Sequence, residues 1–215
     1  MKKKNGLFVV LEGIDGAGTT TQAKMLHSYL ENRGIESMLT NEPTDEPVGK
    51  LIRDSLSGRI TSPKSNKRIE FSEKALCLLF AADRIEHSVS IEAARDRGAA
   101  VVCDRYILSS IAYQTLDKAI KPKRVIEVNR GCSVPDVTFL LKVPVKECLR
   151  RLRSRKDIPT VYEKKTLLES IDRNYEKARR RYKDTFGPVI VIDGTASQGD
   201  VQRAIIDRLG EFLPD

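Results

Sequence analysis

The chain has 215 residues, 40% hydrophobic and 32% charged, with 38 Lys and Arg against 30 Asp and Glu for a formal net charge of +8. No Pro/Gly/Ser-rich linker or low-complexity tract interrupts it, so the composition excludes a largely disordered chain and suits one domain, residues 1–215, with a sizeable core. Its longest apolar run, Leu7 to Leu11, is too short to cross a bilayer, and Lys2 to Lys4 lead into no signal-peptide core, so a soluble, cytoplasmic protein with no membrane partner is expected.

Short β-branched runs alternate with longer amphipathic stretches, the pattern of an α/β fold in which a five-stranded parallel sheet is flanked by helices on both faces. A strand at Leu7–Leu11 is followed by a helix at Thr19–Arg33. A strand at Ile35–Thr40 leads to helices at Val48–Ser57 and Arg68–Arg97. The third strand, Ala99–Cys103, precedes a helix at Val125–Arg130. The fourth, Val137–Val143, precedes helices at Val145–Arg153 and Glu163–Tyr182, and the last, Val189–Ile192, precedes a helix at Gln198–Phe212. Ligands of such sheets bind outside the carboxyl ends of the strands, which directs attention to the segments after Leu11, Thr40 and Cys103. The cysteines Cys77, Cys103, Cys132 and Cys148 are scattered without a CxxC pair, which argues for buried thiols and against disulfides or zinc.

The positive charge is local. From Lys142 to Lys183, fifteen Lys and Arg face six Asp and Glu, a balance of +9 that leaves about −1 for the rest of the chain. A basic segment attracts polyanions. With 6% aromatics and no helix-turn-helix or RNP signature, a nucleic-acid partner is not expected, and phosphates of small nucleotides are the better match. For Lys164 to Arg181 a solvated helix face is the better reading. The denser cluster Arg150, Arg151, Arg153, Arg155 and Lys156 is harder to explain without an anionic visitor.

The run from Leu7 to Gln22 reads as strand, glycine-rich turn and helix start. Glycines let successive backbone N–H groups face an anion, and the helix adds the partial positive charge of its amino end. Gly13 and Gly18 occupy the two glycine places of GxxxxGK[ST], and Thr20 occupies the hydroxyl place that ligates Mg²⁺. The lysine place holds Thr19. The nearest downstream lysine, Lys24, lies more than a helical turn away, so no shift of register recovers it. A plain glycine hairpin or helix cap would use the same residues if the loop stood alone.

Three more segments accompany that loop. They are Asp104-Arg105-Tyr106-Ile107-Leu108-Ser109-Ser110-Ile111-Ala112-Tyr113-Gln114, the run Leu78-Leu79-Phe80-Ala81-Ala82-Asp83-Arg84 with His87, and Glu42-Pro43-Thr44 followed by Gly49-Lys50-Leu51-Ile52-Arg53. Together with Glu12-Gly13-Ile14-Asp15-Gly16 they resemble, in the same order, the motifs of thymidylate kinases, P-loop nucleoside-monophosphate kinases with a short basic lid. The resemblance covers about residues 6 to 193.

What it implies is phosphoryl transfer from ATP to dTMP with Mg²⁺, in a homodimer. The donor phosphates would lie on Gly13, Asp15, Gly16, Ala17, Gly18, Thr19, Thr20 and Thr21. Phe80 would stack on thymine and Arg84 would donate to its O4, although core packing for Phe80 and an ion pair of Arg84 with Asp83 or Glu86 are alternatives. Ser110 would lie near the base N3, Tyr113 would crowd the sugar 2′ position, and Asp15 would reach the 3′-hydroxyl. Glu42, Pro43 and Gln114 complete the acceptor site. Arg105 would bind the acceptor phosphate, with Arg53 a second candidate, unless Asp104 and Arg105 simply neutralise each other. Thr20 and Asp104 would serve the metal, or Asp104 would orient the acceptor.

With Gly16 where one subset of the family carries arginine, the closer match is the subset that supplies basic residues from the lid, here Arg150, Arg151, Arg153 and Arg155; Arg151, Arg153 or Arg155 would supply part of the missing charge, with Arg153 the catalytic candidate. The usual lid tail DR(F/Y)E reads Thr160-Val161-Tyr162-Glu163. Thr19 leaves three outcomes open: a slowed dTMP kinase, a kinase for another pyrimidine monophosphate, or a nucleotide-binding protein that transfers phosphate poorly.

Overall fold

The computed structural model describes residues 6–154, 162, 164–182 and 185–212. Among these residues are five strands and eight helices: β1 Phe8–Glu12, α1 Thr19–Asn32, β2 Ser37–Asn41, α2 Pro47–Leu56, α3 Glu73–Asp96, β3 Ala100–Asp104, α4 Ile107–Gln114, α5 Pro122–Val128, β4 Val137–Lys142, α6 Val145–Arg153, α7 Lys165–Arg181, β5 Val189–Asp193 and α8 Gln198–Leu209. The strands form one parallel sheet in the order β2-β3-β1-β4-β5. Every residue of β1 and β3 is buried, as near-continuous apolar runs covered on both faces must be, whereas the edge strands β2 and β5 are only partly covered.

The order in which strands are added switches direction at β1, whose neighbours β3 and β4 lead away to opposite edges, so the crevice for ligands opens above its carboxyl end. Leu11 stands opposite Asp104, and Asn41 opposite Asp104 on its other side. The loops after β1, β2 and β3 therefore leave the sheet at one level.

The predicted strands are each within two residues of those observed. Three helical expectations need correction. The helix placed at Arg68–Arg97 begins only at Glu73, because Arg68 pairs with Thr61 in an antiparallel bridge and the Ser72 hydroxyl caps the helix by accepting from Ala75 N–H at 3.3 Å. The helix placed at Val125–Arg130 starts at Pro122, the residue favoured at a first helical position, and ends before Asn129. The segment Ile107–Gln114, for which no helix is predicted, forms α4. Its N-cap Tyr106 offers no side-chain cap. The work is done by Glu12, distant in sequence, whose Oε1 accepts from Tyr106 N–H at 2.9 Å and Ser109 N–H at 3.0 Å. Predicted residue Glu163 lies outside the described residues, and α7 runs from Lys165. Among the described residues, no helix is long and apolar enough to cross a membrane.

At the amino ends of the strands, Asp136 fastens β1. Its N–H donates to Phe8 O at 2.9 Å and its Oδ2 accepts from Phe8 N–H at 2.7 Å, while Arg95 donates to Asp136 and, through Nε, to Gly6 O at 2.9 Å. Asp136→Ala orphans the N–H of fully buried Phe8, and we expect a loss of about 1–3 kcal/mol, read as a lower urea midpoint at unchanged slope.

Candidate active site

Between Glu12 and Thr19 the chain turns through six residues. Gly16 has φ of +85° and Gly18 of +99°, both in the left-handed region where a side chain is strained, and a Cβ on Gly16 would sit 2.6 Å from the carbonyl oxygen of Cys148 in α6. No side chain caps α1, so its first-turn N–H groups face the loop's concavity, the arrangement of an anion site. Thr19 is 4% exposed, and its Cγ2 packs toward Gly13, where an added Cβ would meet it at 3.3 Å. Its hydroxyl does not line the cavity described next.

Thr20, exposed at the start of α1, donates its hydroxyl to Asp104 Oδ2. Asp104 Oδ1 is buried and has no partner. A carboxylate oxygen left bare beside a hydroxyl fits a hard divalent cation such as Mg²⁺, taken through few protein oxygens with phosphate and water completing the shell. Among the described residues no group of three or more His, Cys, Asp or Glu gathers that would supply an all-protein cage.

From this point a cavity of about 820 Å³ runs between α1, α2, α3 and α4. It is lined by Asp15, Thr20, Glu42, Pro43, Arg53, Phe80, Arg84, Asp104, Arg105, Ser110, Tyr113 and Gln114, all of them expected from the sequence, and also by Lys24, Arg59 and Tyr162, which were not. Phe80 is half-buried, faces this space, and takes no part in the main core. Arg84, one helical turn later, is 1% exposed.

The partner of Arg84 is neither Asp83 nor Glu86. Asp83 instead accepts from the N–H and hydroxyl of Thr44, at 2.8 and 2.5 Å. Arg84 donates from Nε and Nη2 to Glu42 Oε2 at 2.8 and 2.5 Å, from Nη2 to Ser110 Oγ at 3.0 Å, and from Nη1 to Asn129 Oδ1 at 2.5 Å. Of the five N–H groups of a guanidinium, four are thus engaged and one on Nη1 remains. Glu42 is held in turn by His87 Nδ1 at 3.1 Å, whose Nε2 meets Thr40 Oγ1 at 2.8 Å. Gln114, 2% exposed, lines the same end with both amide atoms unpartnered. A buried amide without partners marks a place for a ligand's own donor and acceptor.

Arg105 carries the other end. Its φ of +70° is a left-handed conformation that a non-glycine residue rarely adopts. Its own N–H donates to Leu11 O at 2.8 Å and the following N–H, of Tyr106, donates to Glu12 Oε1 at 2.9 Å, so the end of β1 holds the strained residue on both sides. Its Nη2 donates to Asp15 Oδ1 at 2.6 Å and its Nη1 to Gly13 O at 2.9 Å and Tyr113 OH at 3.1 Å. Asp104 and Arg105 therefore do not neutralise each other. Arg53 donates to Pro43 O at 2.5 Å and Asp45 at 2.8 Å on the cavity's rim. Burial pushes the carboxyl of Glu12 above the usual carboxylate range, opposed by hydrogen bonds from Ser109 and Tyr175 and by the charge of Arg105. Burial likewise raises the hydroxyls of Tyr113 and Tyr175, which stay protonated.

The basic cluster is less free than its sequence suggests. Arg150 and Arg151 both pair with Glu147, whose carboxyl they hold down at about 2. Arg151 also donates to Ala17 O at 3.3 Å and Gly194 O at 3.0 Å, which clamps the phosphate loop to α6. Arg150 and Arg153 are exposed and line no part of the cavity. Arg155, Lys156, Thr160, Val161 and Glu163 lie outside the described residues. Sequence reasoning missed Glu12 as an organiser and Asn129 as a partner of Arg84. Neither has a local signature, since each acts on residues brought near only by the fold.

A phosphate loop, a bare carboxylate beside a hydroxyl, and a cavity lined by a buried arginine and a half-buried phenylalanine are the parts of a phosphotransferase with a nucleotide acceptor. The family profile described as "Thymidylate kinase" matches residues 11–205. The chain is 41% identical over 204 residues to the "Probable thymidylate kinase" of Thermococcus gammatolerans, covering 94% of each, and 39% identical over 207 residues to that of Methanocaldococcus jannaschii, covering 95% and 96%. It is 48% identical to the one from Thermococcus kodakarensis over 153 residues, 70% of this chain and 73% of that protein. With the profile and the relatives spanning nearly its whole length, the chain belongs to the thymidylate kinase family of phosphotransferases.

Proposed function

We propose that this protein transfers the γ-phosphoryl group of ATP to dTMP, giving dTDP and ADP. The observation that carries this is the single N–H left on Arg84, which is buried beside Phe80 at the far end of a cavity that opens on the phosphate loop. One donor suits one carbonyl, the O4 of thymine lying on the Phe80 ring, and the unpartnered amide of Gln114 supplies further polar contact to the base. Asp15 engages Arg105 and Tyr113 through Oδ1, which leaves Oδ2 for the sugar 3′-hydroxyl, while the Tyr113 ring occupies the space a 2′-hydroxyl would need. The acceptor phosphate then lies against Arg105, with Arg53 on the rim.

Transfer asks the protein to align donor and acceptor and to neutralise the charge spread over the moving group. The N–H groups of Gly16, Gly18, Thr19 and Thr20 would hold the donor phosphates, since that of Ala17 already donates to Ile14 O at 3.0 Å. Thr20 and Asp104 would hold Mg²⁺, whose charge offsets that of the phosphates. Arg105 faces the transferring group from the acceptor side, and Arg153, at the carboxyl end of α6, is the described lid residue that would approach from the other. If dTMP and dCMP are compared as acceptors with ATP, we expect dTMP to be preferred about tenfold or more, because an amino group at position 4 leaves the Arg84 donor unpaired at a cost of about 1–3 kcal/mol. Equal turnover of the two would remove Arg84 from base reading.

Thr19 removes a positive charge where the donor is most negative, yet the backbone cradle and Thr20 need no side chain at position 19. We infer a slow but measurable kinase. Thr19→Lys should raise kcat at saturating ATP and dTMP by up to about 100-fold, the size of a single electrostatic contact in such a site. No rise would mean that the loop is built around threonine.

The working form we propose is a homodimer through α3. Leu78, Ile85 and Val89 are 52%, 47% and 67% exposed, and with exposed Ala82 they recur at helical spacing along one face, an apolar stripe that a second copy would cover. Val89→Glu should convert dimer to monomer in sedimentation velocity. An unchanged dimer would place the interface elsewhere.

A further inference from the structure

Glu12 is fully buried at the end of β1 and all of its carboxylate capacity is used. Oε1 accepts the N–H groups of Tyr106 and Ser109, and so caps α4 from outside that helix. Oε2 lies 2.6 Å from Ser109 Oγ and 2.8 Å from Tyr175 OH, which are themselves 2.7 Å apart. The same two hydroxyl oxygens each lie 3.4 Å from Arg105 Nη1. Arginine can only donate. The two hydroxyl protons therefore belong inside the triangle formed with Oε2, and their lone pairs face the guanidinium. A carboxylate enforces that polarity because it offers no proton of its own. The backbone receives the same support, for the left-handed peptide at Arg105 is held by Leu11 O on one side and by Glu12 Oε1, through Tyr106 N–H, on the other.

We propose that Glu12 is a positioning residue for phosphoryl transfer, fixing the Arg105 guanidinium through the amino terminus of α4 and through the Ser109 and Tyr175 hydroxyls. This rests on Arg105 binding the acceptor phosphate, the role given it above. Core support of the sheet needs only volume and satisfied hydrogen bonds at position 12, whereas positioning of Arg105 needs an acceptor on both carboxyl oxygens. Glu12→Gln separates the two. Its Oε1 can still accept both amide N–H groups, but Nε2 now donates to the hydroxyls, and at least one hydroxyl proton is driven toward Arg105.

The test is a double-mutant cycle of Glu12→Gln and Arg105→Ala, with kcat and KM for dTMP and for ATP measured in all four proteins. We expect Glu12→Gln to lower kcat about tenfold or more with KM for ATP changed less than about twofold, and to change the residual kcat of Arg105→Ala by less than about twofold, since its effect passes through Arg105. A kcat near the unsubstituted value in Glu12→Gln, or the same proportional loss with and without Arg105, overturns the proposal. Full turnover in Arg105→Ala instead overturns the role of Arg105 on which it stands. If Glu12→Gln does not fold, Ser109→Ala combined with Tyr175→Phe removes the hydroxyl relay from its other side. It should show the same loss of kcat and the same dependence on Arg105, and undiminished turnover there refutes the inference.

Discussion

The parallel pairing of β1 with β3, with Leu11 opposite Asp104, is the constraint from which the site follows. Two strands far apart in sequence end at one height, so the phosphate loop that continues β1 and the Asp104–Arg105 pair that continues β3 emerge side by side. Thr20 can then reach Asp104, and Arg105 can reach Gly13 O and Asp15, without any long excursion of either loop. β2 joins through the pairing of Asn41 with Asp104 and of Glu42 N–H with Asp104 O, which brings the Glu42 carboxylate to Arg84 in the cavity wall.

Charges removed from water are costly unless they are paired and hydrogen-bonded. This site contains two largely sequestered guanidinium groups, and the fold treats them differently. Arg84 is enclosed by oxygens of Glu42, Ser110 and Asn129 and lies over the Tyr106 ring, 5.0 Å from its centroid, a static and nearly saturated environment. Arg105 keeps part of its surface open to the cavity and shares its donors among a carboxylate, a carbonyl and hydroxyls. The first arrangement suits reading of a neutral carbonyl and the second suits reception of a doubly charged phosphate.

Much of this was readable in the sequence because it is local. Alternating β-branched runs identified all five strands, and the glycine spacing identified the phosphate loop. The motif residues on α3 and after β3 line one cavity. The failures have different physical causes. Helix α4 lacks a cap within its own segment, since Glu12 caps it from about ninety residues away, and rules about neighbouring residues do not detect such a partner. The start of α3 was misplaced because amphipathic spacing continues back through the Thr61–Arg68 bridge, past the Ser72 cap that ends it. The basic cluster after β4 reads as unpaired in the sequence, yet Glu147 sits three and four residues before Arg150 and Arg151 and satisfies both.

The enclosure of Arg84 also bears on how such a protein changes over evolutionary time. Its guanidinium answers to Glu42 from the loop after β2, Ser110 from α4 and Asn129 after α5, and Glu42 answers further to His87. Replacing any one of these leaves a charge or an amide short of a partner in a buried place, so single substitutions in this cluster cost stability. The setting of Arg84 is in that sense a collective property of four segments of chain. Drift can more readily alter exposed Lys24 and Arg59 at the cavity's edge, while the enclosure of Arg84 is inherited as a block.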